Sequence, residues 1–242
     1  MHTMAEIETA FSQLLGGRLL DVATGSGAFA AWLADTMLDV AGIMGIDMRT
    51  EPLTADNSIF ERADAEYRQM DAHALEFTDA SFDTVSISYS LHHMADPATV
   101  LSELRRVLKP GGHLIIREMH QDDLTEEQRI GVDMHHWWAA VDRLEGITHN
   151  ETFTRPALYA MIEACALQDV LIFEYVDLST DPFDTGLHDR MSTRLTETAA
   201  RAKKLPDGAM RAAQADGLMT RLAEVGMHDP PVLYAVGRKE CC

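Results

Sequence analysis

Along the first half of the chain, short apolar runs alternate with stretches in which apolar residues recur every three or four positions. The first pattern suits strands buried on both faces and the second suits helices with one buried face, so their alternation predicts a parallel sheet covered on both sides. A helix carrying Ile7, Phe11, Leu14 and Leu15 leads into a predicted strand at 18–23. A helix at about 26–38 follows, with Phe29, Trp32, Leu33 and Met37 at helical spacing, then a second strand at 40–46 that ends at Asp47. A third, weak strand is expected at about 66–70 and a fourth at 82–88. From Pro97 a helix presents Val100, Leu101, Leu104, Val107 and Leu108 on one face, and Pro110-Gly111-Gly112 is expected to stop it. Proline cannot continue a helix and glycine accepts the turn. A fifth strand is predicted at 113–118.

The pattern then loosens. Helices are expected at 125–145 and 155–166, a sixth strand at 169–177, and two amphipathic helices at about 187–204 and 207–225. Met191, Leu195 and Ala202 stripe the first of that pair; Met210, Leu218, Leu222 and Val225 stripe the second. A last strand at 232–238 closes the chain. With no repeat, low-complexity tract or flexible linker, residues 1–242 read as a single α/β domain of the doubly wound, Rossmann-like kind. Its sheet is expected to be mostly parallel and seven-stranded, with an antiparallel final strand. Helical inserts at about 121–166 and 178–231 are expected to form a substrate lid or a homodimer interface, or a purely structural hairpin.

Composition changes the picture in one respect. Hydrophobic residues make up 46% and charged residues 24%, an ordinary soluble balance, but 20 Lys plus Arg face 39 Asp plus Glu for a net charge of −19. That field repels phosphate backbones and anionic lipid, so neither nucleic acid nor a membrane surface is expected as a partner. No apolar run is long enough to span a bilayer, and Met1 to Glu6 lacks the basic-then-apolar layout of a signal peptide. Three cysteines, Cys165, Cys241 and Cys242, do not make a disulfide framework. A reducing cytoplasm fits, and the terminal pair reads as a frayed tail.

The chemistry concentrates in Leu19-Leu20-Asp21-Val22-Ala23-Thr24-Gly25-Ser26-Gly27-Ala28-Phe29-Ala30, an apolar strand running through a glycine loop into a helix. Glycines let a ligand approach the backbone, and the helix start offers free N–H groups. Gly25-x-Gly27-x-x-Ala30, with Asp47 about 20 residues on, also satisfies a dinucleotide fingerprint. Asp21 separates the readings. A carboxylate there would repel a pyrophosphate but favours a ligand bearing an ammonium and a sulfonium. Its bland alternative is a cap on the following helix.

Together with segments further along the chain, these residues resemble the class I S-adenosylmethionine (SAM) dependent methyltransferases. The family's D-x-G-x-G-x-G is matched by Asp21, Gly25 and Gly27, with Ala23 in place of the first glycine. The resemblance implies SAM as cofactor and S-adenosylhomocysteine as product. It implies that Ser26 belongs to the cofactor loop, that Asp47 accepts the ribose hydroxyls, and that Met48 lies on the adenine, which Asp71-Ala72 reads. The run from Phe82 to Met94, through Ser88, Tyr89, His92 and His93, resembles the family's fourth-strand segment, and residues 101–112 resemble the helix and turn after it. No motif is recognised beyond Met119.

Ligands in such sheets sit beyond the carboxyl ends of the strands. A methyl acceptor, expected to be a small molecule, therefore faces Ser88, Tyr89, His92, His93, Glu118 and His120. His92, then His120 and Glu118, are the candidate general bases, against the bland reading that the histidines only shape the pocket floor. On the helix at 125–145, Met134, Trp137, Trp138, Val141 and Leu144 share a face that reads first as packing, His136 is expected in solvent, and His135 lies at the stripe's edge beside Asp142. His93, His135, Trp138 and His149 are candidates for the acceptor pocket. A metal site from His120, His135 and His149 lacks ligand spacing, and no metal is expected. Two other functions remain open: a nicotinamide-dependent oxidoreductase and a SAM-binding protein without catalysis.

Overall fold

In a computed structural model, residues 1–53 and 59–241 are described, which leaves Cys242 of the terminal pair outside the described residues. The elements run α1 (Met4–Phe11), β1 (Leu15–Val22), α2 (Ala28–Thr36), β2 (Leu38–Asp47), β3 (Ala65–Gln69), β4 (Phe82–Ser88), α3 (Pro97–Val107), β5 (Leu108–Met119), α4 (Glu126–Leu144), α5 (Arg155–Ala164), β6 (Gln168–Tyr175), α6 (Thr185–Ala202), α7 (Gly208–Val225) and β7 (Val232–Arg238). The strands form one sheet in the order β3-β2-β1-β4-β5-β7-β6. β7 is antiparallel to both neighbours and every other pairing is parallel. Strand order reverses between β1 and β4, which is where such sheets open a crevice.

The period of two along each strand divides the core into two layers. Leu20 and Val22 of β1, Met44 and Ile46 of β2, and Leu233 and Ala235 of β7 face one layer, with α3 and α5. Leu19, Ile43, Val232, Tyr234 and Val236 face the other, with α1 and α2. β3, the edge strand, has no fully buried residue, which is why its apolar signal is weak.

Two expectations are corrected by this architecture. Pro110-Gly111-Gly112 does not end a helix. α3 stops at Val107, and Leu108 is already extended, wholly buried and paired with Phe82. Proline and the two glycines instead form an irregularity within β5, where the pairing jumps from Phe82↔Leu108 to Thr84↔His113. Gly112 passes so close to β4 that a Cβ would sit 2.5 Å from the Asp83 carbonyl oxygen.

The segment 121–166 is not one insert either. α5 lies on the sheet, burying Leu158, Ile162 and Cys165 in the first layer. α4 instead joins α6 and α7 in a third cluster of Ile130, Met134, Trp137, Trp138, Val141, Leu195, Leu218 and Leu222. The two striped helices therefore pack on each other and on α4. Thr125 caps α4 in a reciprocal arrangement with Gln128, which explains its sharp start. No helix among the described residues is long and apolar enough to cross a membrane.

Leu195 is fully buried in this third cluster. Leu195→Ala is expected to destabilise the protein by about 2–5 kcal/mol, read as a lower urea midpoint. A loss below about 0.5 kcal/mol would show that the three helices do not share a packed core.

Candidate functional site: two adjoining cavities at the strand ends

The loop after β1 is shaped by backbone that turns through positive φ at Ala23 (53°), Gly25 (57°) and Gly27 (80°). A Cβ on Gly27 would fall 2.4 Å from Ile59, so that position admits no side chain without displacement. Ala23 adopts the same left-handed backbone while carrying a methyl group.

Two carboxylates hold the loop. Asp21 is 1% exposed, its Oδ1 accepting from the Ser86 hydroxyl at 2.6 Å and its Oδ2 from the Thr24 hydroxyl at 2.7 Å. Asp47 accepts from the amides of Gly25 (3.0 Å) and Arg49 (3.2 Å). Burial pushes the Asp21 carboxyl up to about 6; its two hydroxyl partners oppose that rise, and the nearby Asp47 adds to it. Asp21 does not cap α2, whose N-cap is Gly27 with no side-chain bond. It ties the loop to β4.

Above the loop lies a cleft of about 570 Å³. Ala23, Gly25, Asp47, Met48, Asp71 and Ala72, all candidates for the cofactor, line it. So do Arg49, Leu53, Met70, His73, Ser90, Met94, Ala95, Asp142, Ile147 and Thr148, which the sequence did not single out. Asp71 is held well below the usual carboxylate range by the amide and ring of His73. Met48 (65% exposed) and Leu53 (45% exposed) offer apolar surface at its mouth. Asp21, Ser26, Gly27, Ser88 and Tyr89 are not on its wall.

A chamber of about 310 Å³ adjoins it, lined by Tyr89, His92, His93, Met119, His135, His149, Arg194, Asp229 and Pro230. His93 belongs to both cavities. Tyr89, expected at the cofactor, stands here instead, at φ 48°, with its hydroxyl bonded to Arg117 at 3.1 Å and its ring under that guanidinium. Burial raises its phenol beyond the ordinary range.

Glu118 is wholly buried and accepts from His92 Nδ1 at 3.0 Å and from the Leu91 amide at 2.9 Å. His149 Nδ1 faces Asp142 at 2.8 Å, and His149 Nε2 lies 3.1 Å from His135 Nε2. Loss of solvent, reinforced by the neighbouring imidazoles, lowers His93 to about 4 and His135 to about 2. Burial also lowers His149, although Asp142 opposes it. Burial disfavours the Asp142 charge, but His149 and Arg201 outweigh that effect and hold its carboxyl low.

The other candidates lie elsewhere. His120 is fully buried and on neither wall, its Nδ1 accepting from the Asp122 amide and its Nε2 without a partner among the described residues. Trp138 is packed in the helical cluster with Arg194 stacked 3.9 Å from its ring, so Arg194 rather than Trp138 reaches the chamber. His136 is half-buried and bonded to Thr152 Oγ1 at 2.8 Å, not free in solvent. Arg194 and Asp229 carry no local motif, and only the packing of α6 and the approach to β7 bring them here.

This fold, with a glycine loop after β1, an acid ending β2 and an acid after β3, defines a nucleoside-binding α/β domain. Residues 20–116 match the methyltransferase domain family. A demethylmenaquinone methyltransferase of Renibacterium salmoninarum is 40% identical over 103 residues, covering 43% of this chain and 41% of that protein. A 2-phytyl-1,4-naphtoquinone methyltransferase of Synechococcus elongatus is 30% identical over 178 residues, covering 71% of this chain and 66% of that one. The chain thus spans less than half the length of the first of these relatives. A phosphoethanolamine N-methyltransferase of Haemonchus contortus, solved with S-adenosylhomocysteine, superposes with a TM-score of 0.53 over 98% of this chain and 52% of that one at 18% identity, which shows the shared fold. The chain belongs to the class I SAM-dependent methyltransferases.

The buried Asp21 makes a testable statement about stability. Its folded value of about 6 lies above the ordinary 3.8, so between those values the folded protein binds the proton more tightly than the unfolded chain. Stability therefore falls as pH rises through that window, and the penalty is complete above it. Asp21→Asn, which removes the charge, is expected to match or exceed the parent at pH 8 by up to about 3 kcal/mol. The advantage should shrink below pH 6 and vanish near pH 4. Denaturant unfolding across this range checks it, and an Asn variant less stable at pH 8 would show the charge to be a net asset.

Proposed function

We propose that this protein transfers a methyl group from SAM to a small polar acceptor held in the histidine-lined chamber. One observation carries the reading: a cleft with the family's two acids on its wall opens beside a second, smaller cavity, with His93 common to both. The cleft's volume suits a nucleoside-sized ligand. Asp47 has lone pairs for two hydroxyl donors, and Asp71 with the Ala72 amide can read an adenine edge. SAM, when bound, supplies an electrophilic methyl group on a cationic sulfur. Asp21 and Asp47 give the loop a negative potential that favours such a cation and repels a diphosphate.

The protein's own part is to position. Holding donor and acceptor in line can supply roughly 7–11 kcal/mol of the barrier reduction. Of the three residues expected as bases, His92 alone lines the chamber. Glu118 takes its Nδ1 proton in a hydrogen bond and fixes the ring, so Glu118 is a positioning residue. His120 lies off the chamber wall and is not part of the proposal.

The relatives' names speak of quinones, yet this chamber has four imidazoles, Arg194 and Asp229 on its wall and little apolar surface beyond Tyr89, Met119 and Pro230. Its volume is at the low end for ligand pockets. A compact acceptor bearing a hydroxyl, amine or thiol fits that lining better than a long hydrocarbon tail. α4 and α6 supply His135, Asp142 and Arg194 to the two walls, which favours a substrate lid over a dimer interface for the helical cluster.

Calorimetry with SAM, S-adenosylhomocysteine and NADH tests the cofactor. Micromolar SAM binding and none for NADH is expected, and Asp47→Ala should weaken SAM at least tenfold, about 1.4 kcal/mol. Undiminished SAM affinity in that variant, or tight NADH with no SAM, would sink the assignment. His92→Ala is expected to retain SAM affinity within about threefold while turnover with an identified acceptor falls on the order of 10²-fold. Unchanged turnover would remove His92 from the mechanism.

A further inference from the structure

The chamber gathers more imidazole than acceptor binding explains. The candidate ligand atoms of His92, His93 and His149 all lie within 4.8 Å of one another, and His135 Nε2 stands 3.1 Å from His149 Nε2. We propose that His92, His93 and His149, joined by His135, bind a divalent transition-metal ion of the zinc and ferrous class on the floor of the acceptor chamber.

The tautomers carry the argument. An ionised carboxylate only accepts hydrogen bonds. Glu118 therefore holds the proton on His92 Nδ1, and Asp142 holds it on His149 Nδ1. That leaves an Nε2 lone pair on each ring, the one on His149 facing His135 Nε2 at 3.1 Å and accepting its N–H when no ion is bound. Paired carboxylates behind ligating histidines fix the tautomer, orient the ring and raise its basicity, which is how metal-binding histidines are ordinarily supported. Here two such pairs converge from different parts of the chain.

Distance and access agree with this reading. A tetrahedral zinc ion with bonds of about 2.0–2.1 Å keeps its ligand atoms roughly 3.4 Å apart, so the cluster needs only small ring rotations to close on an ion. The opposed Nε2 atoms of His135 and His149 already lie near that spacing. The chamber is open, so an ion has a path in. An all-imidazole set selects zinc, iron, nickel or copper over magnesium or calcium, which prefer oxygen. Without metal, the His135 Nε2–H donates to His149 Nε2, and His135 Nδ1 is left buried without a partner among the described residues.

The consequence for methyl transfer rests on the proposed function. An acceptor hydroxyl or thiol that coordinates the ion loses its proton to water more readily and becomes the nucleophile. The His92 lone pair then serves by binding metal, not by taking the proton.

Protein without a polyhistidine tag, stripped with a chelator, is titrated with Co²⁺ and then Zn²⁺ in the absence of SAM and acceptor. One equivalent of Co²⁺ should bind with the visible bands of a four- or five-coordinate ion, and Zn²⁺ should displace it with a Kd below 1 μM. Added Zn²⁺ should raise the thermal midpoint. His149→Ala and His92→Ala are expected to weaken binding at least tenfold and alter the bands. His120→Asn, outside the chamber, should leave both unchanged. Each variant's circular dichroism confirms that it folds, and Glu118→Gln tests the same site without removing a ligand, weakening binding about tenfold. Binding no tighter than millimolar, or the same in His149→Ala as in the parent, overturns the metal site. SAM binding without metal uptake would leave methyl transfer standing, and metal uptake without SAM binding would reverse that outcome.

Discussion

The loop between β1 and α2 depends on a carboxylate buried without a cation. Among the described residues, Asp21 has the hydroxyls of Thr24 and Ser86 for partners, and Asp47 stands near enough to add repulsion. Such a group stiffens the loop through two short hydrogen bonds at the cost of a charge that water no longer stabilises. A positive ligand above the loop would ease that cost through the low-dielectric layer between them, for Asp21 is buried and not among the residues that line the cleft.

Much of the sheet is legible in the sequence because its strands are buried on both faces and its motifs are local. β4 and β7 fall where the apolar runs put them, and the helix expected from 125 starts at Glu126. The misplacement of Pro110-Gly111-Gly112 has a physical source. Those residues break a helix and kink a strand equally well, and only the burial of Leu108 against Phe82 decides which. Asp47, Asp71 and Ala72 are legible because each lies at or just beyond a strand end that faces the cleft.

The chamber is less legible because its wall is assembled from distant parts. His92 and His93 come from the turn after β4, His135 from α4, His149 from the segment between α4 and α5, Arg194 from α6 and Asp229 from the approach to β7. No spacing along the chain records those meetings. Trp138, read first as packing and also as a pocket candidate, takes the packing role. Its face of α4 packs against α6, and the Arg194 guanidinium that lies on the ring becomes the group that reaches the cavity.

The boundary of the family match falls along the same division. Residues 20–116 contain both acids, the glycine loop and the turn that carries His92 and His93. Outside that range lie Glu118, which orients His92, and Asp142, which orients His149. The family match therefore contains both acids and the glycine loop, while the groups that orient two of the chamber's imidazoles lie beyond its last residue. Acceptor chemistry should track α4, α6 and their connecting segments, and likeness in the sheet alone carries no information about which atom receives the methyl group.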